Sequence, residues 1–425
     1  MLVLIVVVFI IGYLLITLEH AVKVNKAAIA LLTGVLCWSI YALSSSDMHI
    51  VGEHLVGHLG DLAGILFFLM GAMTIVELVD AHDGFEVITG AIKTTNKRKL
   101  IWITSLLAFF LSAVLDNLTT TIVLVSLLNK LIADKKDKMI FVGLVIIAAN
   151  AGGAWSPIGD VTTTMLWIGG QVSAGNLVLQ LFIPSAISLL IPLTIASFML
   201  KGKAEKPLVD ENSDKIQASR LHRNIIFIAG IGALIFVPVF KTLTHLPPFM
   251  GMLFGLGVVW VISEILNKDK DEAEKHQHSV LYALRKIDMP SILFFLGILV
   301  AIAALQSTGQ LASMAQTMNK SIGNTNVIVI CIGLLSAVVD NVPLVAASMG
   351  MYDLQTFPMD HSFWIFMAYA AGTGGSALII GSAAGVAAMG MQNISFFWYL
   401  KNISWLALIG YFAGAGAYIL QNYLF

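Results

Sequence analysis

Charge is what this chain has least of. Only 12% of its 425 residues are Asp, Glu, Lys or Arg, against 58% hydrophobic residues. Soluble domains carry roughly 25% charged residues, so a water-soluble globule is excluded. The 24 basic and 25 acidic side chains leave a net charge of −1, which gives no basic field for a nucleic-acid partner. Cysteine is nearly absent as well. Cys37 and Cys331 both lie in apolar segments; they offer neither a disulfide framework nor metal-ligand spacing and read as small core residues. No P-loop pattern occurs, so ATP-driven pumping lacks a nucleotide cradle. Met1 leads directly into apolar sequence, with no basic leader and no small-residue cleavage site. That reads as a first transmembrane helix rather than a signal peptide.

What the chain does have is long apolar sequence. Stretches of about 17 residues or more recur from end to end, each long enough to span a bilayer, and the short alternating segments of a membrane barrel are missing. The expected fold class is an all-α polytopic membrane protein. Basic loops stay cytoplasmic. Those rich in Lys and Arg are Lys93–Lys99, Lys130–Lys138, Lys201–Arg223 and Lys268–Lys286; those poor in them are Ser44–Asp61, Gly169–Asn176, Lys241–Pro248 and Tyr352–His361. On this rule the first span, 2–18, starts outside, spans at 27–44 and 62–80 follow, and the last span, 402–421, ends outside. Residues 81–92 read as an interfacial segment.

The apolar stretch 100–131 does not fit a single crossing. It is flanked by basic loops on both sides and interrupted by Asp116-Asn117. Two crossings would need about 20 residues each, so the spacing predicts a re-entrant hairpin with Asp116-Asn117 at its tip. The crossing at 139–168 is interrupted in turn by Asn150-Ala-Gly152-Gly153-Ala-Trp155-Ser156-Pro157-Ile-Gly159-Asp160. Three glycines and a proline break a helix, and broken backbone is tolerated at membrane depth only where it is buried in protein or lines a cavity. A span at 177–200 precedes the polar linker 201–223, the one clear shift in composition.

The second half retraces the first. Spans at 224–240 and 249–266 match the first two. Ile292-Leu-Phe-Phe-Leu296 repeats Ile65-Leu-Phe-Phe-Leu69, Asp340-Asn341 repeats Asp116-Asn117, and Gly374-Gly375 with Gly381 repeat Gly152-Gly153 with Gly159. Five crossings per half put the second copy upside down. The reading is therefore an inverted repeat, residues 1–200 and 224–425, of five spans plus one hairpin each. The second hairpin covers 326–350 and the second broken helix 362–390. In all this makes about ten spans, two hairpins and two broken helices. Discontinuous segments in matching positions of two halves point to a midplane transport site.

Paired Asp-Asn tips, each followed by a Gly-rich broken helix, resemble the ion transporter superfamily. Within it Leu115-Asp-Asn-Leu-Thr-Thr120, the run Asn150–Asp160 and Val339-Asp-Asn-Val-Pro343 look most like the NhaD-type sodium/proton antiporters, over nearly the whole chain. The resemblance implies exchange of Na+, and also Li+, for H+, with no cofactor. It further implies a scaffold domain and a moving transport domain, elevator-like alternating access, a homodimer in the bacterial inner membrane and a role in pH homeostasis. In the related symporters the tips carry Ser-Asn-Thr; here the serine position is Asp116 or Asp340, and Pro343 replaces the threonine of the second tip. A fixed carboxylate repels an anionic substrate, which favours a cation as sole cargo. The rivals kept open are a sodium-coupled carboxylate or anion symporter and an oxyanion efflux permease on the same scaffold. An enzyme is not expected, although the paired tips could mimic an aspartyl pair.

Sodium takes oxygen ligands. The expected cation set is Asp116, Asn117, Thr120, Asn150, Ser156, Asp160, Asp340, Asn341, Thr373 and Ser382, with Thr119, Thr162 and Ser376 as further neutral candidates. A carboxylate at membrane depth is a functional hypothesis by default, but each aspartate can equally cap a half-helix, and each hydroxyl or amide can serve interhelical bonding. A carboxylate that holds either a proton or a cation couples the two flows without a separate switch. Glu77 and Glu264 sit near cytoplasmic span ends, where Glu77 suits a proton path or a pore mouth as well as a solvated carboxylate. His20, His54, His58, His82 and His361 fall in expected loops and read as solvated, with pH sensing as the alternative. Trp155, inside the polar break, either packs behind the site or gates it.

Overall fold

A computed structural model describes residues 2–45, 47–89, 92, 94–205, 219–268 and 271–424. Residues 206–218 of the linker and residues 90, 91 and 93 of the segment before Lys97 lie outside the described set. Within it the chain is all α-helix, with one isolated bridge between Asn96 and Lys203. The first half runs α1 (Leu2–Thr17), α2 (Glu19–Val22), α3 (Lys26–Ser44), α4 (Met48–Ala81), α5 (Glu86–Thr89), α6 (Lys97–Leu115), α7 (Asn117–Leu131), α8 (Lys135–Ala154), α9 (Val161–Ile168) and α10 (Ala174–Met199). The second half begins with α11 (Arg220–Thr244), α12 (Pro248–Asn267), α13 (Glu272–Gln277), α14 (Val280–Lys286), α15 (Met289–Ser307) and α16 (Gln310–Ile322). It continues with α17 (Thr325–Leu335), α18 (Asn341–Met351), α19 (Ser362–Gly374), α20 (Ala383–Gln392), α21 (Phe396–Asn402) and α22 (Ser404–Leu424).

Among the described residues eight helices are long and apolar enough to cross a bilayer, and ten if each of two bent pairs counts as one span. This is a polytopic integral membrane protein. Its outer faces are greasy: Val3, Leu32, Leu179, Ile228 and Val261 are all well exposed, the surface expected where lipid rather than water is the solvent. Its interior is built on α8 and α19, in which every residue from Phe141 to Ala154 and from Phe363 to Gly374 is buried.

The breaks fall where the polar residues interrupt the apolar runs. Helix α6 ends at Leu115 and α7 starts at Asn117, with Asp116 between them at φ 86°. Helix α17 ends at Leu335 and α18 starts at Asn341. The glycine-rich runs separate α8 from α9 and α19 from α20. One expected loop is corrected. Residues 48–61 are not a loop but the first turns of α4, a helix of 34 residues. Asp47 caps it by accepting from the backbone NH of His49 at 2.9 Å, and the helix forms here although the stretch carries Gly52, Gly57 and Gly60. Hydropathy marks where a helix leaves the bilayer, not where it begins. The stretch 306–326, to which the sequence reading assigns no element, holds α16, bounded by Gly309 and Gly323, both with positive φ, and α16 bends 117° from α17.

Most helix packing falls in two groups, joined by α15 against α18 and α4 against α9. In one, α3 packs on α15 and α1, and α4 on α12 and α11. In the other, α6 and α7 pack on α8, α17 and α18 on α19, α7 on α20, α9 on α18, and α10 on α22. Matching bonds recur in the two halves. Ser112 donates to the carbonyl of Ala149 at 2.6 Å, and Ser336 donates to that of Ala371 at 2.9 Å. A Cβ on Gly152 would lie 2.1 Å from the carbonyl oxygen of Phe109, and one on Gly374 would lie 2.0 Å from that of Gly333. At both places only glycine lets a hairpin arm lie this close to a broken helix.

Candidate functional site

Four half-helices begin next to one another, and the residue capping each supplies the site. Asp116 caps α7, accepting from the Thr119 NH at 2.8 Å and from the Thr119 hydroxyl at 3.0 Å. Asp160 caps α9, accepting from the NH and hydroxyl of Thr162 at 2.8 and 2.7 Å. Asp340 caps α18 through the NH of Val342 at 3.3 Å. Ser382 caps α20 through the NH of Gly385 at 3.2 Å. The capping alternative is thus realised for every aspartate. It does not exclude ion binding, because a helix N-terminus stabilises a negative charge beside it.

Asp160 is the hub. It is 2% exposed. Asn117, from the first tip, donates to it at 2.5 Å, and Asn341, from the second tip, reaches both its oxygens at 3.5 Å. Asn117 also donates to Asn150 at 3.0 Å, and Asn150 donates in turn to Ser376 and Ser382 at 2.9 Å each. One continuous polar network therefore joins both tips and both broken helices. Buried polar groups of this kind are held by satisfying one another.

The expected residues divide by placement. Asp116, Asn117, Asp160 and Asp340 line one internal cavity of about 60 Å3, together with Lys26, Phe68, Met73 and Thr164. Asn150, Asn341, Ser376 and Ser382 join it through the bonds above. Ser156 and Thr373 spend their hydroxyls on the backbone, on Ala113 at 2.5 Å and on Tyr369 at 2.6 Å. Thr120 is fully buried and its hydroxyl makes no hydrogen bond. Trp155 stacks on Phe109 at 5.8 Å between centroids and meets Phe182 edge-on at 5.1 Å, which places it behind the break.

Sequence reasoning passed over Lys26. Its Nζ lies 3.4 Å from an Asp340 oxygen. A signal was present: it is the first residue of an apolar helix rather than a member of a basic run. The histidines are also re-placed. His54 and His58 lie on α4, not in a loop, and their rings meet Tyr41 and Ser307 at 3.2 and 3.0 Å. His82 is buried at the end of α4, 4.8 Å from the His278 ring. His361 caps α19. The side chain of His20 lies outside the described set.

Two larger cavities flank the small one, and α4 runs past all three. His58, Asp61, Leu62 and Ile65 line one of about 360 Å3. Phe68, Leu69, Ala72 and Met73 line the central cavity. Val76, Glu77 and Asp80 line the third, of about 390 Å3, with Asp83, Glu86, Thr119 and Lys130. From Asp61 to Glu77 the helix rises about 24 Å at 1.5 Å per residue, so the flanking cavities lie toward opposite ends of α4. Thr119 belongs to the third cavity and bonds Asp116 of the central one.

A family model described as citrate transporter matches residues 6–360. The chain is 47% identical to sodium/proton antiporter 1 of Arabidopsis thaliana over 411 residues, 96% of this chain and 70% of that one. It is 45% identical to sodium/proton antiporter 2 of the same plant, over 96% of this chain and 97% of the relative. It is 29% identical to the Na(+)/H(+) antiporter NhaD of Alkalimonas amylolytica, over 98% of this chain and 89% of that one.

Proposed function

Because the chain belongs to the citrate transporter family and, within it, to the NhaD-type sodium/proton antiporters, we propose that it exchanges Na+ for H+ across a membrane, with Asp116 and Asp160 as the carboxylates that hold either ion. The carrying observation is the small, acidic cavity. Three carboxylates line about 60 Å3, room for a few water-sized species. Pockets for organic ligands run to about 300–1,000 Å3, and three carboxylates against the one ammonium of Lys26 would repel citrate or any dicarboxylate. The cavity thus favours a cation over the anion in the family model's description. Lithium, being smaller still, fits the same oxygen cage.

Asp160 already accepts from Asn117, Asn341 and Thr162. A cation beside it would take its remaining lone pairs, with the carbonyls and amide oxygens freed at the helix breaks completing the shell. A proton on Asp116 or Asp160 removes the charge that attracts the cation, so the two compete. The flanking cavities at opposite ends of α4 support alternating access, in which the hairpin-and-broken-helix group moves against the group of α1, α3, α4, α11, α12 and α15. The matching bonds in the two halves support an inverted repeat of residues 1–200 and 224–425. In this reading the basic loops and the Glu77 cavity lie on the cytoplasmic side, both termini lie outside, and the protein is a homodimer in a bacterial inner membrane.

The test is purified protein in liposomes with a trapped proton-sensitive dye. A sodium or lithium pulse is expected to move protons, and Asp160→Asn to abolish the movement. Sodium-dependent uptake of labelled citrate with no proton movement on a sodium pulse would show the symporter instead.

A further inference from the structure

We propose that Lys26 is a tethered cation that occupies the second hairpin tip, neutralising Asp340 and confining the transported Na+ to Asp116 and Asp160. The inference rests on the exchange reading above and sharpens it: Asp340 positions the site rather than ligating the cargo.

Lys26 opens α3, which belongs to the other packing group from α18. Its backbone NH is held by the Glu19 carboxylate at 3.0 Å, so the start of the helix is fixed. Its ammonium reaches across to Asp340 at 3.4 Å and lies 4.3 Å above the Phe294 ring of α15. The pair is largely screened from solvent, with side chains 26% and 19% exposed, and both residues line the central cavity.

The two halves differ at this point. The helix matching α3 in the second half is α12, which opens with Pro248-Phe249 and brings no cation. Asp116, the twin of Asp340, pairs with no lysine among the described residues. Its oxygens are met by Thr119 alone among the described hydrogen bonds. A second difference runs the same way: Asp160 caps α9, whereas its twin position carries Ser382. The first tip and first broken helix thus hold two carboxylates without a built-in counter-ion. The second tip holds one carboxylate with its counter-ion supplied. Three negative charges and one fixed positive charge leave a deficit of two, the charge that one Na+ half-fills and two protons fill.

The pair also links the two packing groups. Sodium can replace the ammonium only if Asp340 is a ligand. Removing one partner and removing both then give different results, because a stranded buried charge is worse than no pair at all.

The experiment measures sodium-driven proton flux in liposomes at fixed pH, for wild type, Lys26→Met, Asp340→Asn and the double variant. Asp340→Asn strands the ammonium in the cavity, where it competes with sodium. It is expected to raise the KM for Na+ about 10-fold or more with a change in Vmax under about 3-fold. The double variant is expected to return KM to within about 3-fold of wild type. A merely structural role would lower Vmax and would give no recovery of KM. Lys26→Met alone leaves Asp340 as a third uncompensated carboxylate, and its KM and Vmax are expected to depart from wild type. If the double variant keeps the high KM of Asp340→Asn, Asp340 binds the cargo and the inference is overturned; a wild-type Lys26→Met overturns it equally. Absence of sodium-driven flux in the wild type would instead sink the exchange reading itself.

Discussion

Asp116 carries two burdens that can be separated by substitution. Its φ of 86° lies in a region that costs of order 1–3 kcal/mol for a residue with a Cβ, and its carboxylate caps α7. Asparagine tolerates positive φ and caps a helix nearly as well, but it cannot take up and release a proton. Asp116→Asn is expected to cut sodium-driven proton flux by about 100-fold or more while the melting temperature in detergent stays close to wild type. Asp116→Ala is expected to lose the same activity and, in addition, about 1 kcal/mol of stability from the missing cap. A stable Asp116→Asn protein with wild-type flux would remove this residue from the site. The chemistry of these residues was legible in the sequence, since a carboxylate and an amide in an apolar run demand explanation. What each side chain spends its polarity on was not. Ser156 and Thr373 looked like ligands by type, yet their hydroxyls serve the backbone of Ala113 and Tyr369. Lys26 and Asp340 lie 314 residues apart in the chain, and no local pattern pairs them.

The hairpin arms and broken helices approach one another through glycine. Gly152 stands against the Phe109 carbonyl on α6, and Gly374 stands against the Gly333 carbonyl on α17. A methyl at either place must push the arm away, an overpacking that costs typically about 1–3 kcal/mol. Gly152→Ala and Gly374→Ala are each expected to lower the melting temperature. Gly152→Ala is also expected to impair transport beyond its effect on stability, because α6 and α8 carry Asp116 and Asn150 at their ends. Flux normalised to folded protein checks it; equal flux per folded molecule would mean that this approach only packs the helices. The breaks were readable because glycine, proline and aspartate in an apolar run exclude a continuous helix. The amphipathic α16 and the first turns of α4 were missed for a related reason. Hydropathy sees the bilayer, and a polar helix beyond the apolar layer looks like a loop until its caps, Asp47 for α4 and the left-handed Gly309 and Gly323 around α16, are read as start and stop signals.

Across the whole molecule, α4 connects a cavity holding His58 and Asp61 to one holding Glu77, Asp80, Asp83 and Glu86. The second is the more acidic, although Glu86 also meets Arg223 at 3.2 Å and Lys130 at 3.9 Å. A cleft of one sign concentrates counter-ions, and salt screens the effect over about 10 Å at 0.1 M. Glu77→Gln is therefore expected to raise the KM for sodium on that side about 2- to 5-fold at low ionic strength. Choline chloride at about 0.5 M should erase the difference. A shift that persists in high salt would make Glu77 a contact of the ion rather than part of the field. The two cavities also let the proposed sidedness of the molecule be tested. Ser126 lines the Glu77 cavity and Gln306 the His58 cavity, both exposed, so a cysteine at each position reports opposite faces. In right-side-out cells a membrane-impermeant maleimide is expected to label Gln306→Cys and not Ser126→Cys, and inverted vesicles should show the reverse. The native Cys37 is buried and Cys331 partly so, and the unsubstituted protein sets the background. Labelling of both cysteines from one face would mean that the cavities share a side, and alternating access past α4 would have to be abandoned.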